Sequence, residues 1–188
     1  DMFELILDYI DKIENQYIKG ITESIVGKVS DKLMHYPAAK SNHHAIKGGL
    51  LYHVTTMLRA AEKLMEIYTY LKKDLVYAGV ILHDIANIKE MESSELGIVS
   101  KYSVEGQLLG HIIQGINLID EAGKSIGADK EVIMLLQHMI LTHHYEPEYG
   151  SPKKPMIPEA ELLHHLDVID ASMYDMQKAI RDVKEGEF

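Results

Sequence analysis

The chain contains no cysteine and no tryptophan, only two phenylalanines, and no apolar run long enough to cross a bilayer. Each absence excludes something. Without cysteine there are no disulfides and no thiolate ligands, so any metal site must be built from histidine, carboxylate and water. Without a membrane-length run, a spanning helix is ruled out. The first residues, Asp1-Met2-Phe3-Glu4-Leu5, lack the basic cluster and short apolar stretch of a secretory signal, so the expected location is the cytoplasm. Positive charge is also scarce: 19 Lys and Arg against 29 Asp and Glu leave a net charge of −10. Affinity for polyanions comes largely from Lys and Arg contacts to phosphate, so this chain is not built to grip nucleic acid by its own charge. Bound cations would change that balance locally.

What the chain has is histidine, eleven in 188 residues, and the histidines cluster. They sit in a sequence whose periodicity is helical throughout. From Phe3 to Leu33, Ile6, Ile10, Ile13, Tyr17, Ile21, Ile25, Val29 and Leu33 recur at steps of three and four, as one face of a helix requires, with Gly20 a candidate divider. After a loop over residues 37–47, Leu50, Val54, Leu58, Ala61, Met65 and Tyr68 repeat the pattern. Asp74 is the expected N-cap of a third helix, and Leu75 to Leu82 is apolar on every side, the mark of a core helix. Residues 90–102 read as a polar loop. Ser103 then caps a helix carrying Leu108, Ile112, Ile116 and Ile119, ended by Gly123 and Gly127. Asp129 caps a helix with Val132, Leu136, Met139 and His143 on one stripe. Four of the five prolines fall in the loop from Tyr145 to Pro158. A last helix shows Leu162, Leu166, Ile169, Met173, Met176 and Ile180 on one face. Nothing alternates with period two for long, so an all-α fold with essentially no sheet is expected.

The strongest chemical signal is His83-Asp84, directly after the eight residues Leu75–Leu82 and expected inside the buried helix. An ionised carboxylate in an apolar core needs compensation. A salt bridge and a metal are both open readings, but no Lys or Arg follows until Lys89. His53, His111, His143 and Asp167 each fall on or beside the apolar stripe of a different helix. Convergence of such side chains from several helices is how helical bundles build metal sites.

The ordered series His53, His83-Asp84, His111, His143-His144 and Asp167 resembles the HD superfamily of metal-dependent phosphohydrolases, over most of the chain. The stretches Asn42–His53 (NHHAIKGGLLYH), Ala78–Ile85 (AGVILHDI), Leu109–Ile112 (LGHI) and Thr142–Pro155 (THHYEPEYGSPKKP), with Glu159-Ala160 and Asp167 to Ala171, are similar to the HD domain of YhaM-type 3′-5′ exoribonucleases. The resemblance implies a helical bundle with a metal site buried between helices. The expected layout is an N-terminal helical segment, residues 1–40, packed on an HD domain, residues 41–188, as one compact unit. It implies His53, His83, Asp84 and Asp167 as ligands of a first metal, and His111 and His143 as ligands of a second, with Asp84 bridging. His144 stands between a ligand and a supporting role. His44 has two readings, contact with a substrate phosphate or leaving group and loop capping. His138 is expected to be a spare helical histidine, and His35, His164 and His165 structural or solvated.

Two divalent ions about 3.5–4 Å apart can hold one phosphate between them and activate a water. Imidazole and carboxylate ligands suit manganese, iron or zinc better than magnesium. The resemblance favours manganese, with iron, cobalt and zinc as alternatives. It departs at one point: many relatives read His-Asp-hydrophobic-Gly-Lys, whereas Ala86-Asn87 stands here, so Asn87, Lys47 or Lys89 would have to replace that contact. The expected activity is 3′-5′ exonucleolytic hydrolysis of single-stranded nucleic acid. Alternatives are hydrolysis of a small nucleotide, or a metal-holding binding or regulatory module without turnover. An upstream OB-fold domain is the expected source of RNA affinity, no membrane partner is expected, and homo-oligomerisation stays open.

Overall fold

The computed structural model describes residues 1–33, 49–87, 91–93, 99–102, 104–183 and 186–187. Within them the helical periodicity resolves into α1 (Met2–Asp11), α2 (Gln16–Leu33), α3 (Gly49–Ile67), α4 (Lys73–Leu82), α5 (Val104–Leu108), α6 (Gly110–Ser125), α7 (Lys130–Thr142) and α8 (Pro158–Asp182), with a 3-10 turn at Pro147–Tyr149. The fold is all-helical apart from one ribbon. Strands β1 (Met91–Ser93) and β2 (Val99–Tyr102) pair antiparallel, Met91 opposite Tyr102 and Glu92 opposite Lys101. This corrects the expected loop over 90–102. Strands of three and four residues are too short to write a period-two signature.

The first helical stretch breaks at residues 12–15 rather than at Gly20, which lies inside α2. The cause is a carboxylate from far along the chain. Asp74 accepts backbone N–H bonds from Glu14 (3.1 Å) and Asn15 (2.9 Å), and the Asn15 side-chain oxygen in turn accepts from Tyr17 and Ile18, capping α2. Asp74 is therefore committed elsewhere and does not cap α4, where Lys72 holds the N-cap position.

Helix α4 is the centre of the molecule, with every residue from Leu75 to Leu82 buried. It packs against α2, α3, α7 and α8, and the shared core takes in Ile6 and Ile10 of α1, Ile21 and Ile25 of α2, and Leu50 and Leu58 of α3. Leu75, Val76, Val80, Ile81 and Leu82 each contribute about 1.5–3 kcal/mol by burial. That is enough to anchor a helix end against the several-kcal/mol cost of desolvating a carboxylate there. Helix α7 comes close at Gly79, where a Cβ would stand 2.5 Å from Met139 Cε. The helix stops at Leu82, so His83 and Asp84 lie at its C-terminal end rather than within it.

Two further expectations are corrected. The helix after Ser103, a residue outside those described, is two helices, broken where Gly110 takes φ +75° and turns α6 so that His111 falls in its first turn. In α8 the buried residues are Glu159, Ala160, Leu163, Leu166 and Asp170. Of the expected stripe only Leu166 is buried; Ile169, Met173, Met176 and Ile180 are exposed. No described residue beyond Asp170 is buried, so only the first half of α8 lies against the core.

Candidate metal centre

Five helix ends or faces bring the polar residues together. His53 comes from α3, His83 and Asp84 from the end of α4, His143 and His144 from the end of α7, and Asp167 from α8, with His111 entering from the start of α6. They form two clusters that share Asp84: His53, His83, Asp84 and Asp167, and Asp84, His111, His143 and His144. In each, one candidate ligand atom per residue lies within 4.8 Å of the others.

The sharing is done oxygen by oxygen. Asp84 Oδ2 lies 3.1 Å from His83 Nε2 and 3.9 Å from His53 Nε2, while Oδ1 lies 3.4 Å from both His111 Nε2 and His143 Nε2. Asp167 Oδ1 closes the first cluster, 2.9 Å from His53 Nε2. His144 Nε2 meets His111 Nε2 at 3.0 Å in the second.

The imidazoles are aimed by their other nitrogens. His83 Nδ1–H donates to the Val80 carbonyl and His143 Nδ1–H to the Ile140 carbonyl, each at 2.6 Å. His53 Nδ1 is 2.6 Å from Asp170 Oδ2. These ties turn each Nε2 inward, the arrangement in which an outer carboxylate or carbonyl fixes the tautomer of a ligating histidine. The Nε2 atoms of His83 and His143 are buried and make no hydrogen bond, despite the nearby Asp84 oxygens. A buried nitrogen left unpaired is costly unless a cation takes its lone pair. The residues therefore fit a metal: inward lone pairs and carboxylates, with no Lys or Arg among the ion-pair partners of Asp84 or Asp167 within the described residues.

Protons carry the positive charge in its place. Burial alone would lower the His53 pKa, but hydrogen bonds to Asp167 and Asp170 overcome it and raise the group from 6.5 to about 10. His83 is likewise raised, against its burial, by the charge of Asp84. Burial works against ionisation of the two carboxylates too, yet His83 holds Asp84 well below the usual range and the His53 bond lowers Asp167 to about 2. His144 goes the other way. Burial and the neighbouring His143 depress it to about 3, so it stays neutral.

Of the residues expected to bear on catalysis, Asp84 and Asn87 are among the described residues, and Asp84 belongs to the clusters. Asn87 is buried one turn behind it, its N–H donating to the Asp84 carbonyl at 3.0 Å. His44 lies outside the described residues, as do His35, Lys47 and Lys89. His138 accepts the Met156 N–H at 2.9 Å and pins the proline-rich loop. His164 donates to the His143 carbonyl, and His165 pairs with Glu161. The residue that sequence reasoning missed is Asp170, whose only signal was its spacing three residues after Asp167 on one helix. Ser151, fully buried, accepts the His144 N–H at 3.0 Å and was also missed.

The HD domain family model matches residues 50–172. The chain is 42% identical over all 188 residues to a protein of Bacillus pumilus named 3′-5′ exoribonuclease YhaM. It is 43% identical to the protein of that name from Bacillus subtilis strain 168, and 44% to that from a Geobacillus species. The match takes in the full chain each time but 57–59% of these relatives' length, so the chain spans under three-fifths of the curated proteins it matches. No solved structure matches it. No described helix is long and apolar enough to cross a membrane.

Proposed function

This chain belongs to the HD domain family, and from that premise we propose that it is a metal-dependent phosphodiesterase that removes nucleotides from the 3′ end of single-stranded nucleic acid. Asp84 carries this reading: one buried carboxylate puts an oxygen into each of two histidine clusters. The names of the relatives supply the substrate class.

In this reading His53, His83, Asp84 and Asp167 hold one divalent cation, and Asp84, His111, His143 and His144 a second, with manganese the expected metal ahead of iron, cobalt and zinc. Bound there, the cations supply positive charge to a phosphodiester and make water a stronger nucleophile near neutral pH. The protein's own part is orientation. The Val80 and Ile140 carbonyls hold His83 and His143 in one tautomer, with Nε2 directed inward. Asp167 and His144 line the adjoining cavity. Asn87 stands buried where the resemblance would place a lysine. With a net charge of −10, the chain draws its affinity for a polymer from a separate OB-fold module.

The test is a 5′-labelled RNA oligomer incubated with protein loaded with manganese, iron or cobalt. Stepwise shortening from the 3′ end is expected, and no shortening with any of the three removes the proposal. The acidic charge favours one second reading, a small nucleotide as substrate at the same site. A panel of nucleoside phosphates and cyclic dinucleotides run beside the RNA separates the two.

A further inference from the structure

We propose that the cavity opening from the metal centre is a nucleobase pocket, in which Tyr149 stacks on the base of the nucleotide whose phosphate lies against His144 and Asp167. This rests on the phosphodiesterase reading above and adds to it the group that positions the substrate.

The cavity has a volume of about 320 Å³, within the usual size range of small-molecule sites. Its lining is of two kinds. His143, His144 and Asp167, all members of the two clusters, supply the first; Tyr145, Tyr149 and His164 supply aromatic rings, the second, with Glu146 and Val168 completing the lining. A ligand filling it must offer an anion to the first and a flat apolar face to the second. A nucleotide does both, and a sugar phosphate does only the first.

The aromatic rings of the lining are not equivalent. Tyr145 is held at φ +68°, a backbone conformation uncommon outside glycine, and its ring is already used. It stacks on His164 with centroids 4.4 Å apart and planes 29° from parallel, and Lys154 Nζ lies 5.0 Å from its centroid. His164 is fixed in turn by its bond to the His143 carbonyl. Tyr145 and His164 thus make a built wall, tied directly to a cluster residue.

Tyr149 has the reverse design: a fixed backbone and an open ring. It ends the 3-10 turn that begins at Pro147, its N–H bonds the Glu146 carbonyl at 3.0 Å, and Gly150 at φ +104° closes the turn onto the Pro147 carbonyl, also at 3.0 Å. Its side chain is left with no stacking partner among the described residues, and the residue is 72% exposed. Rigid presentation of an open aromatic face beside a phosphate site is what base stacking uses, and it tolerates any base because every base has a π-face.

The absence of tryptophan makes the test direct, because Tyr149→Trp introduces a single tryptophan, which can be excited apart from the tyrosines, and keeps a flat ring. Protein carrying this substitution and loaded with Mn²⁺ is titrated with adenosine 5′-monophosphate and, separately, with ribose 5-phosphate, which has the same phosphate and no base. The nucleotide is expected to quench the fluorescence and the sugar phosphate to leave it unchanged. By calorimetry, Tyr149→Ala should weaken nucleotide binding by about 5–150-fold, the equivalent of about 1–3 kcal/mol for one stacked base, with ribose 5-phosphate binding as in the unaltered protein. Equal affinity for the two ligands, or nucleotide binding unchanged in Tyr149→Ala, overturns the proposal whether or not RNA is cleaved. A Tyr149-dependent preference for the nucleotide in a protein that leaves RNA intact upholds the pocket and removes the exonuclease reading alone.

Discussion

Around Asp84 Oδ2, His53 and His83 are tied through Nδ1 to the Asp170 carboxylate and the Val80 carbonyl, and Asp167 adds a second inward carboxylate. Around Oδ1 three histidines gather about one shared carboxylate oxygen, and two of them meet nitrogen to nitrogen at 3.0 Å. The first half of the centre is rich in negative charge, which raises His83 and lifts His53 to about 10. In the second half burial and the neighbouring His143 lower His144 to about 3. Charge density and outer hydrogen bonds both set metal affinity, so the two halves should differ in it, the first binding more tightly.

The most severe way to break this arrangement is to remove what the halves share. Asp84→Asn keeps the volume and loses the charge in both, and RNA cleavage should fall by about 10³-fold or more, measured as initial rate at saturating metal. A selective break comes from Asp170→Asn, which reaches the centre through its bond to His53. It should weaken the tighter metal by about 10–100-fold in a competitive chelator titration and leave the weaker one unchanged. Removing metal from both halves leaves the buried Nε2 atoms of His83 and His143 without a hydrogen-bond partner. At a hundredfold excess of metal over each Kd the lost stabilisation is about 2.7 kcal/mol per site, about 5 kcal/mol for the two, which for a chain of this size lowers the Tm by about 10–20 °C in a thermal melt with chelator.

The subtlest prediction separates the halves by pH in the metal-free protein. His53 is raised from 6.5 to about 10, so the folded state binds its proton more tightly than the unfolded chain does. The stability it adds is fully present below pH 6.5 and is lost as pH rises towards 10. His144 is lowered from 6.5 to about 3, so the unfolded chain takes up a proton that the folded state refuses. Stability is then lost as pH falls from 6.5 towards 3. Melts across pH should show a maximum near 6.5, with His53→Gln flattening the alkaline limb and His144→Gln the acid limb.

The candidate ligands were legible because each falls on or beside an apolar stripe, where a histidine or aspartate has no reason to be unless something holds it. The order His53, His83-Asp84, His111, His143-His144, Asp167 then named a family that the comparisons show. The supports were less legible, because a second contact depends on which helix lies opposite. Nothing in the neighbours of Asp74 says that it caps a turn near residue 14, or in those of Asp170 that it holds His53. The apolar stripe of α8 misled for the same reason. Periodicity shows that a helix has an apolar face, and the elements packed against it decide whether that face is covered. Here Leu163, Leu166 and Asp170 face the core, while Met173 and Met176 remain exposed.

The centre stands or falls on a single side chain serving two cations, and counting them is the direct check. Elemental analysis of the protein after loading and desalting should return two divalent ions per chain and none in Asp84→Ala; with free metal held just above the tighter Kd and below the weaker, the unaltered protein should keep one ion and Asp170→Asn none. Two ions retained by Asp84→Ala, or none bound by the unaltered protein under any of the metals tried, would contradict it.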